Sequence, residues 1–451
     1  MVPSRRRWWA MSLVLALTML LTACGSGSGS KTEAQKSPET PAATPAPAPA
    51  EKVTLNLWSH WAGEQAKRDF VEGVAKAYNA KNPNVEIKVT WYDKNPLNTA
   101  LRSAYQSGEA PDIHYVDPMP YHAVPYSEGG YLANLKGLID ESKWDPTFMQ
   151  YWKYKDGIWG VPLETGGIFT FYNKKLFKDW GIEVKNGQLT PEQWDTVLKK
   201  CKETGITPIS MGVQDRSGNS GWYWAGTVLT QMVGLEKANA LMEKKINWND
   251  PEIVEGLKTA KGQIDQGIFP ANALSSKLSD SYGPFFQGKA ATMVVGSWIA
   301  SWMRLPEDKG GPPKGFEAGV MMAPALPGAK YPAALQVGTY GSYAVNAKSK
   351  NLKTAVDFLN FLASPENGQK WVELTGVPTG IKGAFTDKTE QFVKDQMALI
   401  DQAKVKIIPD WAGRMAGNEY EAWKKANDQL LTKEYSVDQF VKDLMAGRAK
   451  D

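Results

Sequence analysis

A lone carboxylate and two glycines stand where the chain passes between two apolar, β-type runs. Glu164 follows Trp159-Gly-Val-Pro and precedes Gly166-Gly167, after which Ile168-Phe-Thr-Phe-Tyr has the pattern of a strand. Glycines let the backbone bend, and a carboxylate accepts hydrogen bonds from hydroxyl groups. The pattern predicts a crossing between two lobes with a ligand beside Glu164. From this segment alone, an ordinary β-hairpin inside one domain is the alternative.

Aromatic and polar side chains also follow two other predicted strands. Residues 53–58 alternate apolar and polar and lead into His60 and Trp61. A second strand is predicted at 85–89, and a third, 112–116, leads into Asp117. Helical patterns separate these runs, so the order β-α-β-α-β predicts a parallel sheet with helices on its faces. Ligands bind outside the carboxyl ends of the strands in such sheets. His60, Trp61 and Asp117 are therefore candidate binding residues.

The composition favours a binding site with flat apolar surfaces and gives no sign of nucleic-acid binding. The chain has 18 Trp, 17 Tyr and 14 Phe residues, and some of these rings should line a site beside polar groups. The formal net charge is +4, but Arg5, Arg6 and Arg7 lie in the N-terminal segment, so the mature chain would be close to neutral.

A secreted glycoside hydrolase is an alternative of a different class, because its site also combines rings with two carboxylates at a fixed separation. Asp117 and Glu164 are the available pair, but no local motif surrounds either residue. No Gly-x-Ser-x-Gly nucleophile motif is present. The three His and two Cys residues form no cluster, and Cys201 fits a buried helical position. We expect no catalytic residue, no metal and no cofactor.

The N-terminus predicts export and a lipid anchor. Basic residues 5–7 and a short apolar run lead to Leu-Thr-Ala-Cys24, which resembles the bacterial lipobox. Residues 1–23 would be a lipoprotein signal peptide, and Cys24 would carry the lipid on the extracellular face of the cell membrane. Gly/Ser-rich and Pro/Ala-rich stretches predict that residues 24–51 form a disordered tether. An ordinary cleaved signal is the alternative, and Sec or twin-arginine export stays open.

The rest of the chain has the pattern of a second α/β unit. Thr190-Pro-Glu-Gln193 predicts a helix start with a capping box, and Ser364-Pro365 and Ser436 predict two more helix starts. A short strand is predicted at or just after 204–210, a buried strand within 285–298, and further strands at 319–324 and 336–345. The C-terminal third is predicted to be helical. Because the halves flanking Glu164 have separate α/β patterns, the crossing is favoured over the hairpin.

Several stretches, taken in order, resemble family 1 extracellular solute-binding proteins, the sugar-type receptors of ABC importers. They are Ala110-Pro-Asp, Asp156-Gly-Ile-Trp-Gly-Val-Pro-Leu, Tyr172-Asn-Lys-Lys-Leu-Phe, Phe286-Gln-Gly-Lys-Ala-Ala-Thr-Met, Gly296-Ser-Trp and Ser364-Pro-Glu. The resemblance runs from about residue 52 to the end. It implies an α/β, two-lobe periplasmic-binding-protein-like fold of type II. Each lobe would be a mainly parallel sheet flanked by helices, with a ligand cleft that closes by hinge bending.

The resemblance also implies the extent of the lobes. The N-terminal lobe would contain residues 52–165 and 338–384, and the C-terminal lobe residues 166–337 and 385–451. Chain crossings are expected at 164–169, 336–340 and 381–387. The protein would work as a monomer that delivers a sugar or oligosaccharide to ABC permease subunits. A carbohydrate-adhesion lipoprotein without a transporter is a weaker alternative.

A sugar ring needs an aromatic surface against its C–H face and polar groups at its hydroxyl edge. Trp298 resembles the stacking tryptophan of the family, and Tyr340 lies at the second crossing. The ligand-binding residues expected in full are His60, Trp61, Asp117, Glu164, Trp222, Trp224, Trp298, Tyr340, Trp411 and Arg414. Each has a structural alternative: a core position for Trp298, a turn cap for Asp117, and a surface role for Glu164 and Arg414. We expect one of Trp222 and Trp224 to face the cleft, and His114 to be a core residue.

Overall fold

The computed structural model of the protein describes residues 52–118, 123–214, 221, 223–407, 415 and 417–451. The predicted signal peptide, the tether with Cys24, and the candidate residues Trp222, Trp411 and Arg414 lie outside these residues. For Trp224 the backbone is described but the side chain is not. In the described part of the chain, no helix is both long and apolar enough to cross a membrane.

The described strands form one large mixed sheet and one small hairpin. The strands are β1 Val53–Ser59, β2 Val85–Trp91, β3 Ile113–Tyr115, β4 Lys153–Tyr154, β5 Gly157–Ile158, β6 Val161–Asn173, β7 Thr207–Ser210, β8 Ala290–Gly296, β9 Ala318–Met321, β10 Ala334–Val345 and β11 Val405–Ile407. The large sheet has the order β2-β1-β3-β10-β6-β8-β7, with β11 paired to β10 and β9 paired to β6. The hairpin is formed by β4 and β5.

Helices connect these strands and cover the sheet. The α-helices are Gln65–Lys81, Lys94–Ser107, Ala123–Glu128, Pro146–Met149, Lys174–Asp179, Pro191–Thr204, Thr230–Met242, Pro251–Asp265, Leu278–Phe286, Ile299–Trp302, Leu352–Leu362, Pro365–Thr375, Gln391–Gln402, Gly417–Leu430 and Val437–Arg448. Short 3-10 helices lie at Glu141–Lys143, Gln150–Trp152, Ala273–Ser275 and Glu307–Lys309, and a π-helical turn lies at Trp224–Leu229.

The first three strands confirm the predicted β-α-β-α-β unit. Strand β1 pairs in parallel with β2 and with β3, so the carboxyl ends of β1 and β3 lie side by side. The helices Gln65–Lys81 and Lys94–Ser107 connect these strands. The second helix ends at Gly108 in the left-handed conformation (φ 78°), which glycine adopts without a Cβ clash. The loops after β1 and β3 are thereby placed at one edge of the sheet.

The long strands β6 and β10 connect the two parts of the sheet. They pair antiparallel from Val161 with Tyr343 to Ile168 with Gln336, and Tyr343 also pairs with β3. The register shifts around Gly341, next to Tyr340. Strand β6 is therefore continuous through Glu164, and the local hairpin alternative is wrong because its partner comes from late in the chain. The lobe boundaries stay a prediction, since the sheet passes residues 165 and 338 without a break.

The second part of the sheet is mixed. Residues 168–172 of β6 pair antiparallel with β8, and 170–173 pair antiparallel with β9. Parallel pairs occur between β7 and β8 and between β10 and β11. The strands predicted near 204–210, within 285–298, at 319–324 and at 336–345 are confirmed as β7, β8, β9 and β10. This arrangement places the loop after β8 beside the middle of β6.

Two hydrophobic cores cover the two faces of the second part of the sheet. Side chains alternate between faces along a strand, so Phe169 and Val295 enter one core while Ile168 and Val294 enter the other. The first core continues without interruption to the residues around β1, β2 and β3. His114 and Cys201 are both buried, as expected.

Helix starts follow the predicted caps. Thr190 and Gln193 form the capping box, and the Oγ atoms of Ser364 and Ser436 accept hydrogen bonds from backbone N–H groups three residues later. These caps satisfy N–H groups that the first turn of a helix leaves without partners.

Candidate functional site

The loops after β1 and β3 bring His60 and Asp117 into one cluster. The ring centroid of His60 lies 3.8 Å from that of Tyr115 and 4.9 Å from that of Trp61. The Tyr115 hydroxyl donates a hydrogen bond to Asp117 Oδ1, and Lys94 Nζ lies 2.9 Å from the same oxygen. Because parallel strands end at one edge, two loops far apart in sequence present their polar groups together.

His60 offers a neutral imidazole at this edge. Burial and the positive charges of Lys94 and Lys67 lower its pKa well below the ordinary value, and the Asp117 carboxylate opposes the shift only in part. Among the described residues, the buried Nδ1 of His60 has no hydrogen-bond partner. A neutral imidazole has one donor and one acceptor nitrogen, so it suits a hydroxyl group, which can also do both.

Trp298 and Tyr340 form a pair of half-buried rings. Their centroids are 4.9 Å apart and their planes are inclined at 74°. Trp298 follows the last residues of β8, and its Nε1 donates to the Tyr282 hydroxyl at 3.1 Å. Tyr340 lies at the register shift of β10. The structure thus brings together the predicted stacking tryptophan and the predicted tyrosine of the second crossing.

The glycines after Glu164 leave space for the turn that carries Trp298. Gly166 has φ 147°, and a Cβ on it would lie 1.9 Å from Ser297 Oγ. Ser297 Oγ accepts a hydrogen bond from the Gly167 N–H at 3.2 Å, and the Ser297 N–H donates to the Gly167 carbonyl at 3.2 Å. The backbone of β6 therefore holds the turn that presents Trp298. Only a residue without a side chain permits this approach.

Glu164 lies at the crossing, but its carboxylate is buried and ion-paired. Glu164 is 1% exposed, and its Oε2 atom lies 2.8 Å from Lys67 Nζ. Lys67 also lies 2.7 Å from Glu64 Oε2. Burial, assisted by the negative charge of Glu64, raises the pKa of Glu164 despite the attraction of Lys67. Burial disfavours the charge on Lys67, but the two carboxylates outweigh it and its pKa is raised.

Trp61 lies deep beside Glu164. It is 1% exposed, and its ring centroid is 5.3 Å from that of Trp371. Gly341 of β10 covers both residues, because a Cβ on it would lie 2.3 Å from the Trp61 ring and 2.9 Å from the Glu164 side chain. In this conformation neither side chain reaches solvent. Ligand contact by Trp61 and Glu164 stays a prediction.

The structure adds residues that the sequence reasoning did not select. Lys94 and Tyr115 contact Asp117, while Lys67 forms ion pairs with both Glu164 and Glu64. Burial and then the negative charge of Asp117 raise the pKa of Tyr420, which places the start of the helix Gly417–Leu430 near the end of β3. Glu64 and Lys67 are three residues apart at the start of a predicted helix, a spacing that favours an ion pair, so the sequence alone could have indicated their contact. Nothing in the local pattern marks Tyr420.

The remaining candidates are only partly defined. The backbone of Trp224 belongs to a π-helical turn, a geometry that is frequent at functional sites. In the same turn, a Cβ on Gly226 would lie 1.3 Å from Gln336 Nε2, so this turn packs against β10 near the second crossing. Within the described ranges, no group of three or more His, Cys, Asp or Glu side chains is arranged to hold a metal ion.

Comparisons with known proteins identify a matching family model, related proteins and solved structures with a similar fold. A family model described as bacterial extracellular solute-binding protein matches residues 62–369. The multiple sugar-binding protein of Streptococcus mutans serotype c is 24% identical over 373 residues, which cover 80% of this chain and 82% of that protein. The sn-glycerol-3-phosphate-binding periplasmic protein of Escherichia coli (strain K12) is 26% identical over 361 residues, with 75% and 77% covered.

A solved structure shares the whole fold. It was determined in a study of xylan utilization by the thermophilic bacterium Caldanaerobius polysaccharolyticus, and it superimposes with a TM-score of 0.78. The alignment covers 87% of this chain and 99% of that chain at 22% sequence identity. The predicted type II periplasmic-binding-protein-like fold is confirmed.

Proposed function

Because the chain belongs to the bacterial extracellular solute-binding protein family, we propose that it is a lipid-anchored receptor for a carbohydrate. It captures an oligosaccharide between its lobes, closes by hinge bending and delivers the ligand to the permease of an ABC importer. It acts as a monomer and without catalysis. The ligand contacts are the candidate residues named above, with Tyr420 and Lys94 added.

The pair of Trp298 and Tyr340 is the observation that carries the proposal. Two half-buried rings at an inclined angle offer apolar surface of the size of a sugar ring. They lie where β8, β6 and β10 meet, so three elements fix their position. A polar solute without an apolar face would gain little binding free energy from such a surface.

The cluster around His60 and Asp117 supplies the polar groups that a carbohydrate needs. Neutral His60 can exchange hydrogen bonds with a hydroxyl group, and the carboxylate of Asp117 can accept them. Lys94 donates from the same place. Such a mixture of rings and hydrogen-bonding groups is typical of sites that select a ligand by its hydroxyl pattern.

Two relatives support the choice of ligand class and define a competitor. One is named for multiple sugars, and the other for sn-glycerol 3-phosphate, at similar identity. The aromatic pair favours the sugar, since a phosphate ester of glycerol has no ring to stack. The competitor still belongs in the same ligand screen.

The arrangement of the carboxylates supports a receptor over a glycoside hydrolase. Hydrolysis needs two carboxyl groups that reach the substrate. Glu164 is 1% exposed and held by Lys67 beneath Gly341, while Asp117 is engaged by Tyr115 and Lys94. Release of reducing sugar from glycans by the purified protein would overturn the receptor proposal.

A ligand screen with a matched tryptophan control tests the binding site. We expect one soluble mono- or oligosaccharide to bind saturably in calorimetry and to raise the melting temperature, since it binds only the native state. Trp298→Ala should weaken this binding roughly 10- to 100-fold, or about 1.4–2.7 kcal/mol. Trp180→Ala is the control, because Trp180 is also half-buried but packs beside Phe177. Equal losses in both variants would contradict the proposed site.

The lipid anchor has a separate test. In cells that acylate lipoproteins, the native chain should incorporate labelled palmitate and remain with the membrane fraction. Cys24→Ser should abolish the label and release the protein. Retention of the variant on the membrane would contradict lipidation at Cys24.

A further inference from the structure

Four side chains from three separate parts of the chain form a continuous network, called here the Lys67 network. Its members are Glu64, Lys67, Glu164 and Ser301. Lys67 Nζ lies 2.8 Å from Glu164 Oε2 and 2.7 Å from Glu64 Oε2, and Ser301 Oγ donates to Glu64 Oε2 at 2.6 Å. The network thus connects the start of the helix Gln65–Lys81, the middle of β6 and the short helix after β8.

The side chains of this network are largely buried, and one positive charge faces two negative charges. Lys67 and Glu164 are each 1% exposed, and the side chain of Glu64 is 16% exposed. One ammonium serves two carboxylates, so neither carboxylate can lose Lys67 without leaving a buried, unpaired charge. The Lys67 ammonium is also 5.4 Å from the centroid of the Trp61 ring. The carboxylates of Glu64 and Glu164 and the ring of Trp61 therefore hold the Lys67 ammonium in place.

Ser301 couples this network to the aromatic pair. Its N–H donates to the backbone oxygen of Trp298 at 3.1 Å, and its hydroxyl lies 2.8 Å from the same oxygen. The hydroxyl also reaches Glu64, which follows the loop of His60 and Trp61. Through one hydrogen bond, the turn that carries Trp298 is held to the loop that carries His60.

A second contact, made just after the same short helix, also joins the two predicted lobes. Arg304 Nη1 donates to the Thr375 carbonyl at 3.3 Å. Ser301 and Arg304 belong to the predicted C-terminal lobe, whereas Glu64 and Thr375 belong to the predicted N-terminal lobe. Hinge bending that separates these two parts of the chain would lengthen both contacts.

Given the proposed receptor function, we propose that Lys67 is a positioning residue for closure. It holds Glu64 where Ser301 can reach it only when the lobes are together, and it anchors Glu64 to Glu164 at the crossing. Lys67, Glu64 and Ser301 then stabilise the closed state without touching the ligand. Their contribution appears in the dissociation rate of the ligand and in the open–closed equilibrium.

Ser301→Ala is the most selective test, because it removes the contact between lobes and leaves the three charges in place. We expect the ligand to dissociate roughly 3- to 30-fold faster, with little change in the melting temperature of the unliganded protein. Ser349→Ala is the matched control, since Ser349 Oγ bonds the Asp112 carboxylate at 2.5 Å within the first part of the sheet. The control should leave the dissociation rate unchanged.

A double-mutant cycle separates a positioning function from simple packing. Glu64→Ala should also speed dissociation, and Ser301→Ala should add little in that background, because both changes remove the same contact. Lys67→Gln should act in the same direction, with a larger loss of stability. If Lys67→Gln does not fold, the cycle of Glu64 and Ser301 still decides the proposal. Independent, additive effects on dissociation would overturn it.

A distance measurement on the unliganded full chain tests the positioning function without depending on any ligand. Spin labels on cysteines introduced at the exposed residues Lys136 and Lys258 would report the separation of the predicted lobes. We expect Ser301→Ala and Glu64→Ala to shift the distance distribution toward longer values. If the wild type bound no sugar, the proposed function would fail while this measurement still decided the positioning function. Wild-type distances in both variants would refute it.

Discussion

His60 carries no charge near neutral pH because its surroundings disfavour the imidazolium form. Tyr115 and Trp61 pack on the ring, and Lys94 and Lys67 repel a positive charge. Asp117 opposes them without reversing the effect. A neutral His60 keeps an acceptor nitrogen available, which an imidazolium would lack.

This gives a prediction for the pH dependence of stability. The pKa of His60 lies well below 6.5 in the folded protein and near 6.5 in the unfolded chain, so the unfolded chain binds more protons below pH 6.5. Stability that is present above this pH is therefore lost as the pH falls toward the folded pKa. Stability should therefore fall progressively between pH 7.5 and pH 5.

His60→Gln checks this assignment because glutamine does not titrate. Urea unfolding of the unliganded protein between pH 7.5 and 5 should show a flatter profile for the variant than for the wild type. Parallel profiles would mean that His60 is not the group responsible.

Glu164 marks the limit of what residue type and spacing can predict. The lone carboxylate and its position at the crossing were readable from the sequence. Its partner, Lys67, lies 97 residues earlier in the chain. No local pattern contains that contact, because it depends on how the first helix packs against β6. The same limit applies to Tyr420, which approaches Asp117 from the end of the chain.

At the scale of elements, β6 has two functions in one strand. Its first half completes the sheet of β1, β2 and β3 through β10, and its second half pairs with β8 and β9. Gly166 lies between these halves and gives Ser297 the space to approach. The turn with Trp298 therefore depends on a backbone position and on no side chain of β6.

Gly166→Ala should be more damaging than an alanine at another left-handed glycine. Gly108 (φ 78°) is the matched control, because an added Cβ there meets no atom within 4 Å. Gly108→Ala should cost about 1–2 kcal/mol from backbone strain alone. At Gly166 the clash with Ser297 should add about 1–3 kcal/mol.

Free energies of unfolding in urea would compare the two variants directly. Ligand binding should fall only for Gly166→Ala, since only that change displaces the turn of Trp298. If both variants behaved alike, the close approach of Ser297 would not matter.

The elements themselves were largely predictable. Helix starts at Thr190, Ser364 and Ser436 depend on side chains within three residues, so a local pattern predicted them. The mixed character of the second part of the sheet was not readable. It follows from the antiparallel pairing of β6 with β8 and β9 beside the parallel pair β7 and β8, which alternation along a single strand cannot indicate.

At the scale of the whole molecule, the first hydrophobic core crosses the predicted boundary between lobes. It includes Leu57 and Phe70 beside the first strands and Phe169 and Val295 in the second part of the sheet. Two lobes that share a core and two strands cannot lose their structure independently without exposing apolar surface.

We therefore expect the unliganded protein to unfold in one cooperative transition. Differential scanning calorimetry should give one peak whose calorimetric and van't Hoff enthalpies agree. Two resolved transitions would show that the lobes are separate folding units.

The pairing of β6 with β10 also has a consequence for the order in which the protein can be made. Tyr343 is the partner of Val161 and of Tyr115, so the first part of the sheet lacks its fourth strand until most of the chain has been synthesised. Contacts between such distant residues slow folding, because a long loop must close before they form. During synthesis the first part of the sheet therefore remains incomplete until β10 has left the ribosome.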